Sequence, residues 1–141
     1  MKKNIVIGVS GASGIPIAIS VLKTLKNHPD YHTLMVMTDG AVKTLSYESD
    51  YTQEDFAGLA DRVFDIRDVG ASIASGTFRT EGMIVVPCSM KTVAGIASGY
   101  SDNLLLRNLH IAVLIDVEII LCCRRDDLSP IGLLRGSGHH P

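Results

Sequence analysis

The chain has 141 residues, 46% of them hydrophobic and 20% charged. That length suits one domain, close to the ~150 residues of a typical one, and is enough for a core that needs no disulfide or metal staple. Thirteen Lys and Arg against fifteen Asp and Glu leave a formal charge of −2, without the basic surplus of a nucleic-acid binder or the acidic run of a disordered tail.

The first predicted element is a strand over residues 4–9, a continuous apolar run of the kind buried on both faces of a parallel sheet. Gly8, Ser10 and Gly11 break this start before it resembles a signal peptide, and no apolar stretch reaches the ~20 residues of a membrane helix. The expected location is cytoplasmic, with no membrane span and no nucleic-acid partner. Ser10-Gly11-Ala12-Ser13-Gly14 follows the strand. Its glycines allow a tight turn and close approach of a ligand, its hydroxyls add donors, and the helix behind it favours an anion. It has neither the G-x-G-x-x-G order of a dinucleotide site nor the Gly-Lys-Ser/Thr end of a P-loop. That helix is expected over residues 15–26, with Pro16 tolerated in its first turn.

A second strand is expected over residues 33–37, then helices over 38–46 and 52–61, the latter opening on Thr52 ahead of Glu54 and Asp55. Residues 71–80 are too rich in small residues for a core element and too apolar for an ordinary loop, which suggests a mobile cover or an oligomer contact. A third strand over 82–87 runs into Pro87-Cys88-Ser89-Met90-Lys91-Thr92, where Ser89 and Thr92 could bond a phosphate at the start of a helix over 91–98. A helix over 104–113 and a strand over 117–123 complete the alternation. Alternating strands and helices predict an open α/β sheet with helices on both faces and ligands beyond the carboxyl ends of the strands. Glu48 and Arg107 are by default solvated charges, although Arg107 could reach a phosphate from a helix face. The five histidines show no ligand spacing, so no metal site is expected, and three cysteines without a C-x-x-C pair read as reduced, mostly buried side chains. Gly-Ser-Gly-His-His-Pro at 136–141 reads as a flexible tail.

Gly8-Val9-Ser10-Gly11-Ala12-Ser13-Gly14 and Val85-Val86-Pro87-Cys88-Ser89-Met90-Lys91-Thr92 resemble signatures of the UbiX-type flavin prenyltransferase family. Its members were long labelled 3-octaprenyl-4-hydroxybenzoate or phenylacrylic acid decarboxylases. Residues 68–80, 82–99 and 100–107 match that family as well, so the resemblance covers 1–107 almost without a break. It implies a flavodoxin-like (Rossmann-like) three-layer α/β fold in a single FMN-binding domain over 1–141. It also implies transfer of a dimethylallyl group from dimethylallyl phosphate or diphosphate to reduced FMN, without a metal. The prenylated flavin would serve a UbiD-type decarboxylase, in ubiquinone synthesis or aromatic acid decarboxylation. The family is homo-oligomeric, usually dodecameric.

Carried over by position, Gly11, Ala12 and Ser13 match the first flavin loop, and Thr38 stands where the family usually has serine. Ser89, Met90, Lys91 and Thr92 match the next flavin loop, and Arg107 the flavin-contacting arginine. Ser13 and Glu48 match the polar, catalytic residues of the prenyl-acceptor site, with Ser75 and Gly76 in the loop that faces it. Residues 108–141 depart from the pattern: the family lysine falls on Leu114, and its Arg-Glu pair on Arg124 and Arg125, while Leu128 keeps its place. The expectation is a divergent, truncated end, from a shifted reading frame or a degraded gene end, that impairs transfer more than flavin binding. The alternatives are an FMN-binding aromatic acid or cysteine decarboxylase-like protein, or an inactive flavin-binding remnant. Against the cysteine decarboxylases, Pro87-Cys88-Ser89-Met90 is not the Pro-Ala-Ser-Ala-Asn-Thr motif they carry.

Overall fold

The computed structural model of the chain describes residues 2–75, 78–99 and 102–123. Five strands, β1 (Lys3–Val9), β2 (Tyr31–Met37), β3 (Arg62–Phe64), β4 (Gly82–Val85) and β5 (Ile119–Leu121), form one sheet in the order β3-β2-β1-β4-β5. Every neighbouring pair is parallel. The α-helices are α1 (Ile15–Lys26), α2 (Asp39–Glu48), α3 (Gln53–Ala57), α4 (Met90–Ser98) and α5 (Leu104–Leu114), with a short 3-10 turn at Ser72–Ala74.

Successive side chains of a strand point to opposite faces, so a strand covered on both sides must be apolar throughout. Val6, Leu34, Val36, Met83 and Val85 enter one core with Leu104, Leu105 and Leu109 of α5. Ile7, Val9, Met35 and Met37 enter the other with Ile15, Ala18 and Leu22 of α1, Leu45 of α2 and Phe56 of α3. This is the three-layer, flavodoxin-like α/β arrangement expected from the sequence. The chain winds from β1 out to β3, then crosses back to β4 on the other side of β1. The carboxyl ends of β1 and β4 therefore flank the point where the winding reverses, which is where open α/β sheets bind ligands.

Several boundaries differ from expectation. The helix expected over 52–61 stops at Ala57, because Gly58 caps it and Asp61 turns back to bond Thr33. Strand β3 was not expected; its three residues are too few to show a pattern, and two of them are exposed. Ile73 is buried and its carbonyl accepts from the Asn108 side chain, so residues 71–75, the first part of the segment expected to be a mobile cover or an oligomer contact, are anchored on α5 through Ile73. β5 is shorter than the expected 117–123 but pairs in regular register, Met83 opposite Ile119 and Val85 opposite Leu121. Arg124, Arg125, Leu128, the tail at 136–141 and Gly76 lie outside the described residues.

The Thr33–Asp61 pair fastens β2 to the turn before β3. Fully buried Thr33 donates its N–H to Asp61 Oδ2 at 2.8 Å, and its hydroxyl accepts from the Asp61 N–H at 3.0 Å. Burial pushes the Asp61 carboxyl up, but the Thr33 hydrogen bonds, with His32 and Lys26 nearby, outweigh it and hold the group below its ordinary value. A depressed folded-state pKa stabilises above the unfolded value of about 4 and stops doing so as pH falls through the folded one. Replacing Asp61 by Ala strands the Thr33 N–H and should cost about 1–3 kcal/mol at neutral pH. In urea titrations from pH 7 to pH 2, the gap between wild type and Asp61→Ala should narrow below about pH 4.

Candidate functional site

Three loops leave the carboxyl ends of β1, β2 and β4, and the first of them ties the other two together. Ser10, buried at the end of β1, donates its hydroxyl to the Pro87 carbonyl at 2.9 Å and accepts from the Ser89 N–H at 2.7 Å. Its own N–H donates to the same Pro87 carbonyl at 3.1 Å. On the other side the Thr38 N–H donates to the Val9 carbonyl at 2.9 Å. Gly11 lies against Gly40: a Cβ on Gly11 would stand 2.9 Å from the Gly40 backbone, so only glycine lets the two loops come this close. Gly14, with φ 130°, makes the turn into α1 in a conformation other residues resist.

Ser10 was expected to add a donor for a ligand. Both capacities of its hydroxyl are spent inside the protein, which makes it a brace. The anion expected at the start of α1 is also supplied from within. Glu48, the last residue of α2, accepts from the Gly14 and Ile15 N–H groups through Oε1 at 2.9 and 3.0 Å, and from the Ser13 hydroxyl through Oε2 at 2.6 Å. Its carboxylate thus sits where exposed N–H groups and the helix dipole favour negative charge. The default reading of Glu48 as a solvated charge is replaced by this docking, while Ser13 and Glu48 come together as the resemblance implied.

The other two helix starts differ from α1 and from each other. Thr38 caps α2, its hydroxyl oxygen accepting from the Ala41 N–H at 3.1 Å. That first turn carries Asp39, paired with Arg67 at 3.1 Å, which opposes a second anion there. Ser89 caps α4, accepting from the Thr92 N–H at 3.2 Å, with the Ser89 and Thr92 oxygens 3.1 Å apart. The first turn of α4 holds no acid, and the Met90 and Lys91 N–H groups have no partner among the described residues. Lys91 stands exposed beside them and Arg107 on α5 is also exposed. Hydroxyls, open N–H groups and the Lys91 cation meet at the start of α4, a donor set that fits a flavin phosphate. Gly40 is the residue that sequence reasoning missed; a glycine at the start of a helix directly after a strand is the signal that could have marked it. A groove at the opposite edge of the sheet, lined by Lys3, Tyr31, Glu81 and Glu118, lies away from all three loops.

The Flavoprotein family model matches residues 1–131. A probable UbiX-like flavin prenyltransferase of Sedimentibacter hydroxybenzoicus is 44% identical over 130 residues, covering 92% of this chain and 67% of that protein. The dodecameric FMN-dependent UbiX-like decarboxylase of Escherichia coli O157:H7 superposes with a TM-score of 0.91 at 38% identity, over 97% of this chain and 74% of that one. AnUbiX (PadA1), solved in complex with FMN and dimethylallyl pyrophosphate, superposes with a TM-score of 0.89 at 40% identity, over 94% of this chain and 70% of that one. The chain spans about two thirds of the length of the curated relatives it matches.

Ser10→Ala isolates its role as a brace. It leaves the part-buried Ser89 N–H without its acceptor and removes the bond to the Pro87 carbonyl, a loss of about 1–3 kcal/mol. The urea midpoint should fall at unchanged slope, as for a variant with intact compactness.

Proposed function

The chain belongs to the UbiX-type flavin prenyltransferases of the Flavoprotein family, and on that premise we propose that it transfers a dimethylallyl group from dimethylallyl phosphate or diphosphate to reduced FMN. The observation that carries this reading is the Ser13–Glu48 pair seated over the start of α1, beside the Ser89-capped, acid-free start of α4. An anion-binding helix start already filled by a carboxylate sends the flavin phosphate to its neighbour.

Under this reading the backbone of Gly11 and Ala12 admits the flavin closely, and Thr38 flanks it from β2. Ser89, Met90, Lys91 and Thr92 hold its phosphate, with Arg107 as a second cation. Reduced FMN, when bound, supplies the electron-rich ring that accepts the dimethylallyl group. Glu48 orients Ser13 through the 2.6 Å bond, and the pair offers an acceptor for a proton at the exposed face of the site. Cationic and hydroxyl donors on the donor's phosphate make it a better leaving group. Leu114, where the family lysine falls, ends α5 at 68% exposure and offers a phosphate nothing.

Ile17 on α1 and Tyr47 on α2 stand exposed, side chains that a neighbouring subunit would cover. A homo-oligomer, as in the dodecameric relative, fits that surface. No helix among the described residues is long and apolar enough to cross a membrane. The reading includes a cytoplasmic site of action, with delivery of the prenylated flavin to a UbiD-type decarboxylase.

The test is to mix the protein anaerobically with reduced FMN and dimethylallyl phosphate, or the diphosphate, and weigh the released flavin. A flavin heavier by one prenyl unit is the expected result and shows that Leu114 is tolerated. Bound FMN of unchanged mass from both donors overturns transfer and leaves a flavin-binding protein; carbon dioxide released from an aromatic acid by the protein alone would replace it with decarboxylation. Glu48→Gln keeps the side chain's size while weakening its hold on Ser13 and on the start of α1. It should lower the rate of prenylation at least tenfold while FMN retention, followed by flavin fluorescence, stays within about twofold.

A further inference from the structure

We propose that Cys88 and Cys123 form a reversible disulfide that ties the segment entering α4 to the segment leaving β5, with small-molecule disulfides of the glutathione type as the oxidant. Three placements support it. Cys88 lies buried in the core on the α5 side of the sheet, and Cys123 packs against that same core, whereas Cys122 faces the opposite one. The backbones are already joined there, the Cys88 N–H donating to the Cys122 carbonyl at 2.8 Å and the Cys122 N–H to the Val85 carbonyl at 2.9 Å. The Cys123 side chain lies near enough to Cys88 to help raise its thiol, by charge and by hydrogen bonding. A disulfide needs the sulfurs to close to about 2 Å and the Cα atoms to lie roughly 4.4–6.8 Å apart, which is of the order of the spacing between neighbouring hydrogen-bonded chain segments.

The less buried thiol begins the exchange. Cys123 attacks as thiolate, expels one molecule of thiol and carries the other half of the reagent as a mixed disulfide. Cys88 then loses its proton, attacks the Cys123 sulfur and expels the second thiol. Two protein thiols are oxidised to one disulfide, and the reagent is reduced to two thiols. Burial, with Cys123 adjacent, raises the Cys88 thiol well above its ordinary value, so the second step is the slow one and quickens as pH rises. Cys88 lies between Pro87 and Ser89, the two residues Ser10 braces, so the bond would lock the loop that leads into α4.

The experiment treats the full chain with glutathione disulfide at pH 8, blocks remaining thiols with an alkylating agent, and maps the cross-linked peptides by mass. The expected product has lost two hydrogens and joins Cys88 to Cys123, in wild type and in Cys122→Ser alike. It should be absent in Cys123→Ser and should disappear on reduction. A lasting glutathione adduct on Cys123, a bond between Cys122 and Cys123, or three unreacted thiols would each overturn the proposal. Cys122→Ser leaves both proposed partners in place, so the answer does not depend on the folding of a core variant.

Discussion

One buried hydroxyl sets the geometry of the carboxyl edge of this sheet. Ser10 ends the central strand, and its oxygen is donor to Pro87 and acceptor from Ser89 at once. A hydroxyl can do this because it carries a proton and lone pairs on a single atom, so one side chain satisfies groups on two sides of a crossing. The β4 loop is thereby fixed against the β1 loop, and the Gly11–Gly40 contact fixes the β2 loop on the other side. The starts of α1, α2 and α4 inherit their relative positions from these contacts. Mispositioning by an ångström at a site of this kind costs far more in rate than in stability.

The three helix starts divide the available charge. α1 receives a carboxylate from Glu48, α2 carries Asp39 in its own first turn, and α4 carries no acid. Elementary electrostatics then ranks them for an incoming anion without any appeal to a bound ligand. The sheet provides only a crevice at its reversal point; the acids decide which part of that crevice is positive.

Much of the fold was legible in the chain itself. Residues 4–9 and 33–37 read as strands because burial on both faces demands unbroken apolar runs, and Gly14, Pro16 and the apolar spacing after them marked α1 to the residue. β3 was illegible since a strand of three residues, opening on Arg62, owes its existence to its partner β2. The end of α3 was lost for a similar reason: Asp61 obeys Thr33, 28 positions away, over its local helical context. In the site, the loops were legible from their glycines, hydroxyls and position after strands. The separate fates of Ser10 and Glu48 were not, because both are decided by partners at least 33 residues distant.

The carboxylate over α1 makes that helix its own ligand. A tethered group has an effective concentration on the order of millimolar or more, set by the geometry of the chain that carries it. α2 is short and packed against α1, so Glu48 has little freedom to leave. Free phosphate in the surroundings must outcompete a rival that never diffuses away, and it must do so at a spot where the rival already satisfies two N–H groups and a hydroxyl. The start of α1 is therefore insulated from ambient anions, and only a molecule anchored by other contacts can approach the Ser13 hydroxyl.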